Sequence, residues 1–68
     1  MPITIRVNGK TKSLNEHTSL SNLLVRLKIS QNGVAIERNR KIVGKDLFNS
    51  VTLEDGDKVE IIRMVSGG

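Results

Sequence analysis

The sequence of 68 residues has no cysteine, one histidine, one proline and one aromatic residue. A chain without cysteine has no disulfide framework, no zinc ribbon and no nucleophilic thiol. The single histidine, His17, is too little for a metal site built on histidine and cysteine ligands. We therefore expect no enzyme active site, no bound cofactor and no metal in this chain. A binding module, a structural piece or a carrier remains.

Long apolar runs are also missing, since none approaches the ~18 residues that a membrane span requires. The opening segment Met1-Pro2-Ile3 is typical of a strand and not of a signal peptide. The absence of cysteine suits the reducing cytosol. We therefore expect a cytoplasmic protein that has no membrane partner and is a monomer when alone.

The length leaves room for one small domain, which buries only about 60% of the surface that its unfolded chain exposes. Its charge is unevenly distributed. Residues 1–45 hold nine of the 11 Lys and Arg residues and two of the seven Asp and Glu residues, within a formal net charge of +4. Such a basic body can bind nucleic acid, or it can steer acidic partner proteins.

A β-hairpin is predicted at the start of the chain. Apolar and polar residues alternate over Ile3–Val7, as in a half-buried strand. Asn8-Gly9 is a strong turn signal because both residues tolerate positive φ. The return strand, Lys10–Leu14, poses a conflict, since a strict two-residue turn places Lys10 and Lys12 on the core face. We expect either an edge strand or a longer turn with a bulge.

One amphipathic helix of about ten residues follows, because four leucines recur at the spacing of a single helical face. These are Leu20, Leu23, Leu24 and Leu27. Ser19 is placed to cap the start of the helix. Gln31-Asn32-Gly33 is predicted to end it, since Asn and Gly accept the left-handed conformation. A single helix of this kind needs a sheet to cover its leucines.

Three further strands are predicted downstream, at Val34–Ile36, Ile42–Val43 and Val59–Val65. Between them, Gly44–Ser50 is predicted to form a turn or a short helical segment, with Phe48 in the core. The predicted fold class is therefore α+β, a mixed sheet of four to five strands with one main helix packed on one face.

Two carboxylates and the histidine have simple structural interpretations. Asp55 and Asp57 flank Gly56 in a turn, which explains them better than acid–base catalysis or metal binding. His17 precedes the helix and is expected to be a solvated loop residue.

The last strand presents apolar side chains to both faces of the sheet. Val59 and Ile61 are assigned to the core beneath the helix. Ile62 and Met64 then point to the opposite face, where no second helix covers them. They are either ordinary exposed apolar residues or a docking patch beside the C-terminus.

The sequence ends in Ser66-Gly67-Gly68. Such an end is compatible with a frayed terminus or an expression scar. Paired glycines also have a chemical use. Because they lack side chains, they can pass through a narrow channel of another protein and bring a main-chain carboxylate to a reactive phosphate.

Several segments together closely resemble the ThiS family, the sulfur carrier proteins of thiamine biosynthesis. The matching segments are Val34–Asn39, Ile42-Val43, Leu53–Ile61 and the terminal Gly67-Gly68. The resemblance implies a β-grasp (ubiquitin-like) fold. It also implies a domain over residues 1–65 and a flexible Gly-Gly tail over residues 66–68.

The resemblance further implies how such a carrier works. An E1-like adenylating enzyme of the ThiF type consumes ATP to activate the carboxylate of Gly68. Sulfur from a donor such as a cysteine desulfurase then converts it to a thiocarboxylate, which a thiazole synthase of the ThiG type uses. Ser66 and Gly67 are expected to thread the partner's channel. Strand parity, and not the resemblance, leads us to expect that Ile62 and Met64, together with Val65, contact the partner.

Other functions remain open at this point. The same chemistry at Gly68 serves carriers for molybdopterin or tRNA thiolation and ubiquitin-like modifiers of lysine side chains. A basic RNA-binding module is an alternative of a different class. It rests on the basic residues Arg38, Arg40, Lys41 and Lys45, with Arg6, Lys10 and Lys12 near them. With Phe48 as the single aromatic residue there is no stacking platform for bases, so we expect no nucleic-acid partner.

Overall fold

The computed structural model describes residues 1–64, which form five strands, one α-helix and two single-turn 3-10 helices. The strands are β1 (Pro2–Val7), β2 (Lys10–Asn15), β3 (Val34–Arg38), β4 (Lys41–Val43) and β5 (Lys58–Arg63). The α-helix, α1, is Leu20–Leu27, and the 3-10 helices are Gln31–Gly33 and Lys45–Leu47. The predicted boundary between domain and tail, at residues 65 and 66, lies outside the described residues.

The strands form one mixed sheet in the order β2-β1-β5-β3-β4. β1 and β5 pair in parallel, and the other neighbours pair antiparallel. The predicted α+β class with a mixed sheet is confirmed, and residues 1–64 contain five strands. β5, the last strand within these residues, is the central strand of the sheet, so the sheet is complete only when β5 lies between β1 and β3.

The β1–β2 hairpin has a strict two-residue turn, with φ of 51° at Asn8 and 82° at Gly9. Val7 is the register partner of Lys10, and Ile5 is that of Lys12. The alternative with a bulge is therefore wrong, and the edge-strand alternative is confirmed. Because β2 lies at the sheet edge, Lys10 is exposed and Lys12 is only half-buried.

Helix α1 begins as predicted, with the Ser19 hydroxyl accepting the Asn22 N–H at 3.1 Å. The predicted end at Gln31–Gly33 is wrong, because the helix ends at Leu27 and Lys28 adopts the left-handed conformation with φ of 59°. The Lys28 N–H donates to the carbonyls of Leu24 and Val25, and the half-buried Ile29 packs against the core. This apolar contact after the cap offsets the cost of positive φ in a lysine.

The core consists of thirteen buried apolar side chains from the helix, the sheet and the loops. They are Ile3, Ile5, Val7, Leu14, Leu20, Leu23, Leu24, Val34, Ile36, Phe48, Leu53, Val59 and Ile61. Phe48, predicted to be a core residue, is 1% exposed. Its carbonyl accepts the Ser21 N–H and that of Val51 accepts the Leu20 N–H. The segment around Phe48 thus also satisfies free N–H groups at the start of α1.

The predicted faces of the last strand are confirmed within the described residues. Val59 is fully buried and Ile61 is 8% exposed, whereas Ile62 is 45% exposed. The strand begins one residue earlier than predicted and ends at Arg63. Val65, the predicted end, lies outside the described residues.

Asp57, which directly precedes β5, is buried and makes the densest polar cluster of the domain. Its Oδ2 accepts the Arg38 Nε–H and the Glu54 N–H, both at 2.8 Å. Its Oδ1 accepts from Asn39 Nδ2 at 3.0 Å. Every acceptor oxygen of this carboxylate is therefore bonded, as a buried charge requires. The interpretation of Asp57 as a structural turn residue is confirmed.

Burial raises the pKa of the Asp57 carboxyl. The hydrogen bonds from Glu54, Asn39 and Arg38, together with the charge of Arg38, lower it by more, so the net pKa lies below the ordinary value. A carboxylate with a depressed folded-state pKa stabilises the fold above the unfolded pKa of about 3.9. That contribution is lost as the pH falls through the folded pKa.

We predict that Asp57→Asn lowers the free energy of unfolding at pH 7 by about 2 kcal/mol, because the amide cannot accept all three hydrogen bonds. Urea unfolding of both proteins measures this, and Asp55→Asn is the matched control on the other side of Gly56. The difference between Asp57→Asn and wild type should shrink below about pH 4, where the carboxyl begins to protonate in the unfolded wild-type chain. An undiminished difference at pH 2.5 would contradict the assigned role of the charge.

Candidate functional site

The sheet face opposite α1 is uncovered, and we call it the open face. Side chains alternate between the two faces of the sheet along each strand, and the register shows which residues of neighbouring strands lie on the same face. Together they identify the residues of the open face. They are Thr4 and Arg6 of β1, Thr11 and Ser13 of β2, Ala35 and Glu37 of β3, Ile42 of β4, and Lys58, Glu60 and Ile62 of β5.

The part of the open face nearest the C-terminal end of β5 is apolar. Ile62 pairs with the half-buried Ala35, and Ile42 on the edge strand is 69% exposed. Met64 follows β5 and is 61% exposed. The predicted exposure of Ile62 and Met64 is therefore found, and sequence reasoning missed Ile42 as a member of the same surface. Their contact with a partner stays a prediction.

The predicted carrier residues themselves, Gly68 with Ser66 and Gly67, lie outside the described residues. So does Val65. What the structure does describe is the strand that leads to them and the groups that hold its last residues in place.

Two contacts, one on each side, fix the C-terminal half of β5. β1 pairs with β5 only as far as Val7 and Val59, so the parallel ladder ends there. The side chain of Asn8 continues it: its Oδ1 accepts the Ile61 N–H at 2.7 Å, and its Nδ2 donates to the Ile61 carbonyl at 3.2 Å. On the other side, the Met64 N–H donates to the carbonyl of Gly33 at 2.9 Å.

Asn8 thus has two structural roles, and only its role in the turn was predicted from the sequence. It forms the left-handed turn, as predicted, and its amide group replaces a peptide unit of β1 beside Ile61. A recognisable signal exists, because asparagine combines tolerance of positive φ with a donor and an acceptor in peptide-like geometry. The partner of that amide, 53 residues away, is set only by the fold.

The remaining candidate groups have structural explanations. His17 is exposed and adopts a φ of 69°, as expected for a solvated loop residue. Oδ1 of Asp55 accepts the Thr4 N–H at 2.7 Å and so ties the turn to β1. Within residues 1–64, no cluster of three metal-ligating side chains occurs. The helices of this same part of the chain include none that is long and apolar enough to span a bilayer.

The basic residues do not form one surface. Lys10 and Lys12 lie on β2 and Lys41 lies on β4, which are opposite edges of the sheet. Arg38 forms a salt bridge with the buried Asp57, so its charge is already paired within the domain. The seven basic residues therefore do not form one contiguous cationic patch, which weakens the RNA-binding alternative.

Comparison with known proteins decides the family. The sequence model of the ThiS family matches residues 5–68. The chain belongs to the ThiS family. The sulfur carrier protein ThiS of Bacillus subtilis is 34% identical over 65 residues, which cover 94% of this chain and 98% of that protein. A crystal structure of the thiamine biosynthesis protein ThiS of Geobacter metallireducens superimposes with a TM-score of 0.83. It is 32% identical and covers 97% of this chain and all of that one.

Two longer proteins also contain a region similar to this ThiS-family chain. The thiazole synthases of Magnetococcus marinus and Paramagnetospirillum magneticum are 31% and 36% identical to it. The matched regions cover 94% and 91% of this chain, which spans only 20% and 19% of the length of those proteins. The β-grasp fold predicted from the resemblance is confirmed by the Geobacter structure.

The segments that carry the ThiS resemblance meet in the structure. Arg38 and Asn39 of one segment both bind Asp57 of another. Asn39 in addition accepts the Lys58 N–H at 2.9 Å, at the start of β5. These residues position the strand that leads to the C-terminus, which gives the motif a structural role.

We predict that Asn8→Gly keeps the turn, because glycine adopts positive φ readily, but loses both side-chain bonds to Ile61. Amide hydrogen exchange at Ile61 should accelerate about fivefold, equivalent to about 1 kcal/mol for one hydrogen bond. The control amide is that of Arg6, which donates to the Asp57 carbonyl at 2.9 Å. Unchanged exchange at Ile61, or equal acceleration at Arg6, would contradict a local role for Asn8.

Proposed function

We propose that this chain is a sulfur carrier of thiamine biosynthesis and that it carries sulfur as a thiocarboxylate on Gly68. The family match over residues 5–68 carries the proposal, because it spans the fold and includes Gly67 and Gly68. The chain acts as a protein cosubstrate, and the enzymes of the pathway supply the active sites.

Activation of the carboxylate comes first. A carboxylate is a poor electrophile until one of its oxygens becomes part of a good leaving group. In the proposed step, a Gly68 oxygen attacks the α-phosphorus of ATP on an E1-like adenylating enzyme of the ThiF type. Pyrophosphate leaves, and an acyl adenylate forms. The carrier contributes the reacting carboxylate and a recognition surface, whereas the enzyme contributes positioning and electrostatic stabilisation.

Sulfur enters in the second step. The terminal sulfur of a persulfide on a donor such as a cysteine desulfurase attacks the carbonyl carbon, and AMP leaves with the electron pair of the broken C–O bond. A second thiol then cleaves the S–S bond of the resulting acyl disulfide, which leaves one sulfur on the carbonyl carbon and forms a new disulfide with the donor's sulfur. The product is a thiocarboxylate, an ionised nucleophile near neutral pH. A thiazole synthase of the ThiG type then takes this sulfur into the thiazole ring. Such a carrier needs no cysteine of its own, and it is expected to work in the cytoplasm with these enzymes.

The residues before Gly68 fit this role by size. Gly67 has no side chain and Ser66 has a small one, so this segment can pass through a narrow channel of the partner enzyme. We assign the adjacent Ile62, Met64 and Val65 to partner contact. The support for Ile62 and Met64 is their exposure beside the end of β5.

The alternatives with the same chemistry differ in the pathway that they serve. Carriers for molybdopterin or tRNA thiolation also use a terminal glycine. The similarity to a ThiS protein over nearly the whole chain, and to regions of two thiazole synthases, favours thiamine biosynthesis.

We predict that incubation with the adenylating enzyme, ATP and a sulfur donor raises the intact mass by the difference between sulfur and oxygen. Tandem mass spectrometry should localise the change to Gly68. Deletion of Gly68 should abolish the change while the chain still folds, because the described core and sheet are built from residues 2–63. Conversion that survives the deletion would contradict the proposed carrier site.

A second prediction concerns the partner surface. Ile62→Asp should weaken binding to the thiazole synthase about tenfold, as expected for an apolar residue near the centre of an interface. Because Ile62 is 45% exposed, the same change should alter the free energy of unfolding by no more than about 0.5 kcal/mol.

The matched control for Ile62→Asp is Ile61→Asp, on the adjacent residue that faces the core. It buries an unpaired carboxylate and should destabilise the domain by more than about 3 kcal/mol. Isothermal calorimetry and thermal unfolding separate the two effects. A large loss of stability in Ile62→Asp would contradict the assigned faces of β5.

A further inference from the structure

The open face carries two rows of like charge that lie side by side. In the first row, Arg6 of β1 is the register partner of Lys58 of β5. In the second row, Glu37 of β3 is the register partner of Glu60 of β5. Lys58 and Glu60 are two residues apart on one strand, so the rows are separated by roughly 7 Å along β5.

None of these four side chains forms a salt bridge within the described part of the chain. The ion pairs of residues 1–64 are those of the N-terminal amine with Glu16, and of Arg38 with Glu54 and Asp57. Like charges on directly opposed residues of neighbouring strands destabilise a sheet. Repulsion within each row therefore opposes folding of the free domain, and attraction across the roughly 7 Å between the rows offsets only part of it. A complementary external surface would relieve the remainder.

We propose that the open face docks on a surface of thiazole synthase that places a guanidinium against Glu37 and Glu60 and a carboxylate against Arg6 and Lys58. The proposal rests on the proposed function, since it names how one partner of that function is recognised. Apolar side chains of the same partner surface would cover Ile62.

The geometry of the acidic row suits a guanidinium. In the antiparallel β3–β5 pair, Asn39 donates to the Lys58 carbonyl and Met64 donates to the Gly33 carbonyl. The Glu37–Glu60 pair shares this hydrogen-bonded alignment, in which the two Cα atoms are about 5.5 Å apart. Two carboxylates at this spacing can both accept hydrogen bonds from one arginine, because its planar guanidinium has five N–H donors.

The surroundings strengthen an ion pair at this position. Ile42 is the register partner of Glu37, and Ile62 lies two residues beyond Glu60 on the same strand. Once a partner covers these apolar side chains, water is excluded from the acidic row and the charge interaction is less screened. The half-buried position of Glu37 already limits its solvent contact.

The order of the rows gives the complex one orientation. A partner that presents a carboxylate and a guanidinium in the matching order fits in one direction along β5, because a reversed placement would oppose like charges. Since β5 leads directly to the C-terminus, this orientation would also direct the terminal residues toward one side of the partner. The net charge of +4 repels cationic proteins in general, so the acidic row acts as a local exception.

The longer relatives indicate which partner docks on the open face. In two bacterial proteins, a region similar to nearly the whole of this chain belongs to the same polypeptide as a thiazole synthase. A domain joined to an enzyme experiences it at a high effective concentration. Thiazole synthase is therefore the partner for which these relatives best support a docking surface on this domain.

The test compares two double variants that remove equal charge. Glu37→Gln/Glu60→Gln neutralises the acidic row. The control, Glu16→Gln/Asp46→Asn, neutralises two exposed acidic residues outside the strands. Binding of each to the purified thiazole synthase of the same organism is measured by isothermal calorimetry at two salt concentrations.

We expect the acidic-row variant to bind at least tenfold more weakly, since it leaves a partner cation without its carboxylates. Its affinity should also depend less on salt than that of the wild type. The control should bind as the wild type does. The melting temperature of the acidic-row variant should be unchanged or raised, whereas a purely structural role for Glu37 and Glu60 predicts that it falls.

Several results would overturn the proposal. One is equal affinity of the acidic-row variant and the wild type. Another is self-association of the wild-type chain through this face, because the two rows are also complementary to a second copy in reversed orientation. Light scattering of wild type and variant alone detects that case. A failure of the proposed function is detected by a separate experiment. It would appear as no mass change at Gly68 after incubation with the adenylating enzyme, ATP and a sulfur donor. That reaction does not require binding to thiazole synthase.

Discussion

The buried carboxylate of Asp57 is the interaction on which the rest of the domain depends. It joins the turn at Glu54 to the Arg38–Asn39 corner of β3 just before β5 begins. β5 is the last strand within residues 1–64 and the central strand of the sheet. Without a fixed starting point, this strand would have to find its place between β1 and β3 from its own pairing alone. The cluster supplies that point, and the depressed pKa of the carboxyl reflects the hydrogen bonds that it accepts.

The position of β5 links the fold to the function. Because the final strand is central, its C-terminal half is held on both sides, by the Asn8 amide and by the carbonyl of Gly33. The strand therefore presents a rigid surface up to the point where the proposed carrier residues follow. This combination suits the proposed function, in which partner enzymes recognise a folded surface and act on Gly68.

Much of the fold was predictable from local patterns. The alternation in Ile3–Val7, the leucine spacing of α1 and the turn at Asn8-Gly9 each encode their structure within a few residues. The end of α1 was not predictable in this way, because the positive φ of Lys28 is accompanied by the packing of Ile29 against the core and by a hydrogen bond from the Ile29 N–H to the Leu24 carbonyl. A contact in the folded state, and not the local sequence, selects that conformation.

The candidate site shows the same division. The exposure of Ile62 followed from strand parity, which requires only the sequence of β5. The pairing of Glu37 with Glu60 and the bonds between Asn8 and Ile61 join segments far apart in the chain, and they depend on strand order and register. Arg38 illustrates the consequence. The sequence placed it in a basic cluster, whereas the fold pairs it with Asp57.

The central claim is that sulfur travels on Gly68 to the thiazole. The most direct measurement is a single turnover in which the chain, carrying a sulfur-34 thiocarboxylate, is mixed with thiazole synthase and its other substrates, and both products are analysed by mass spectrometry. Sulfur transfer on Gly68 predicts one labelled thiazole for each chain that returns to the carboxylate mass. Label that stays on the chain while unlabelled thiazole forms would contradict it.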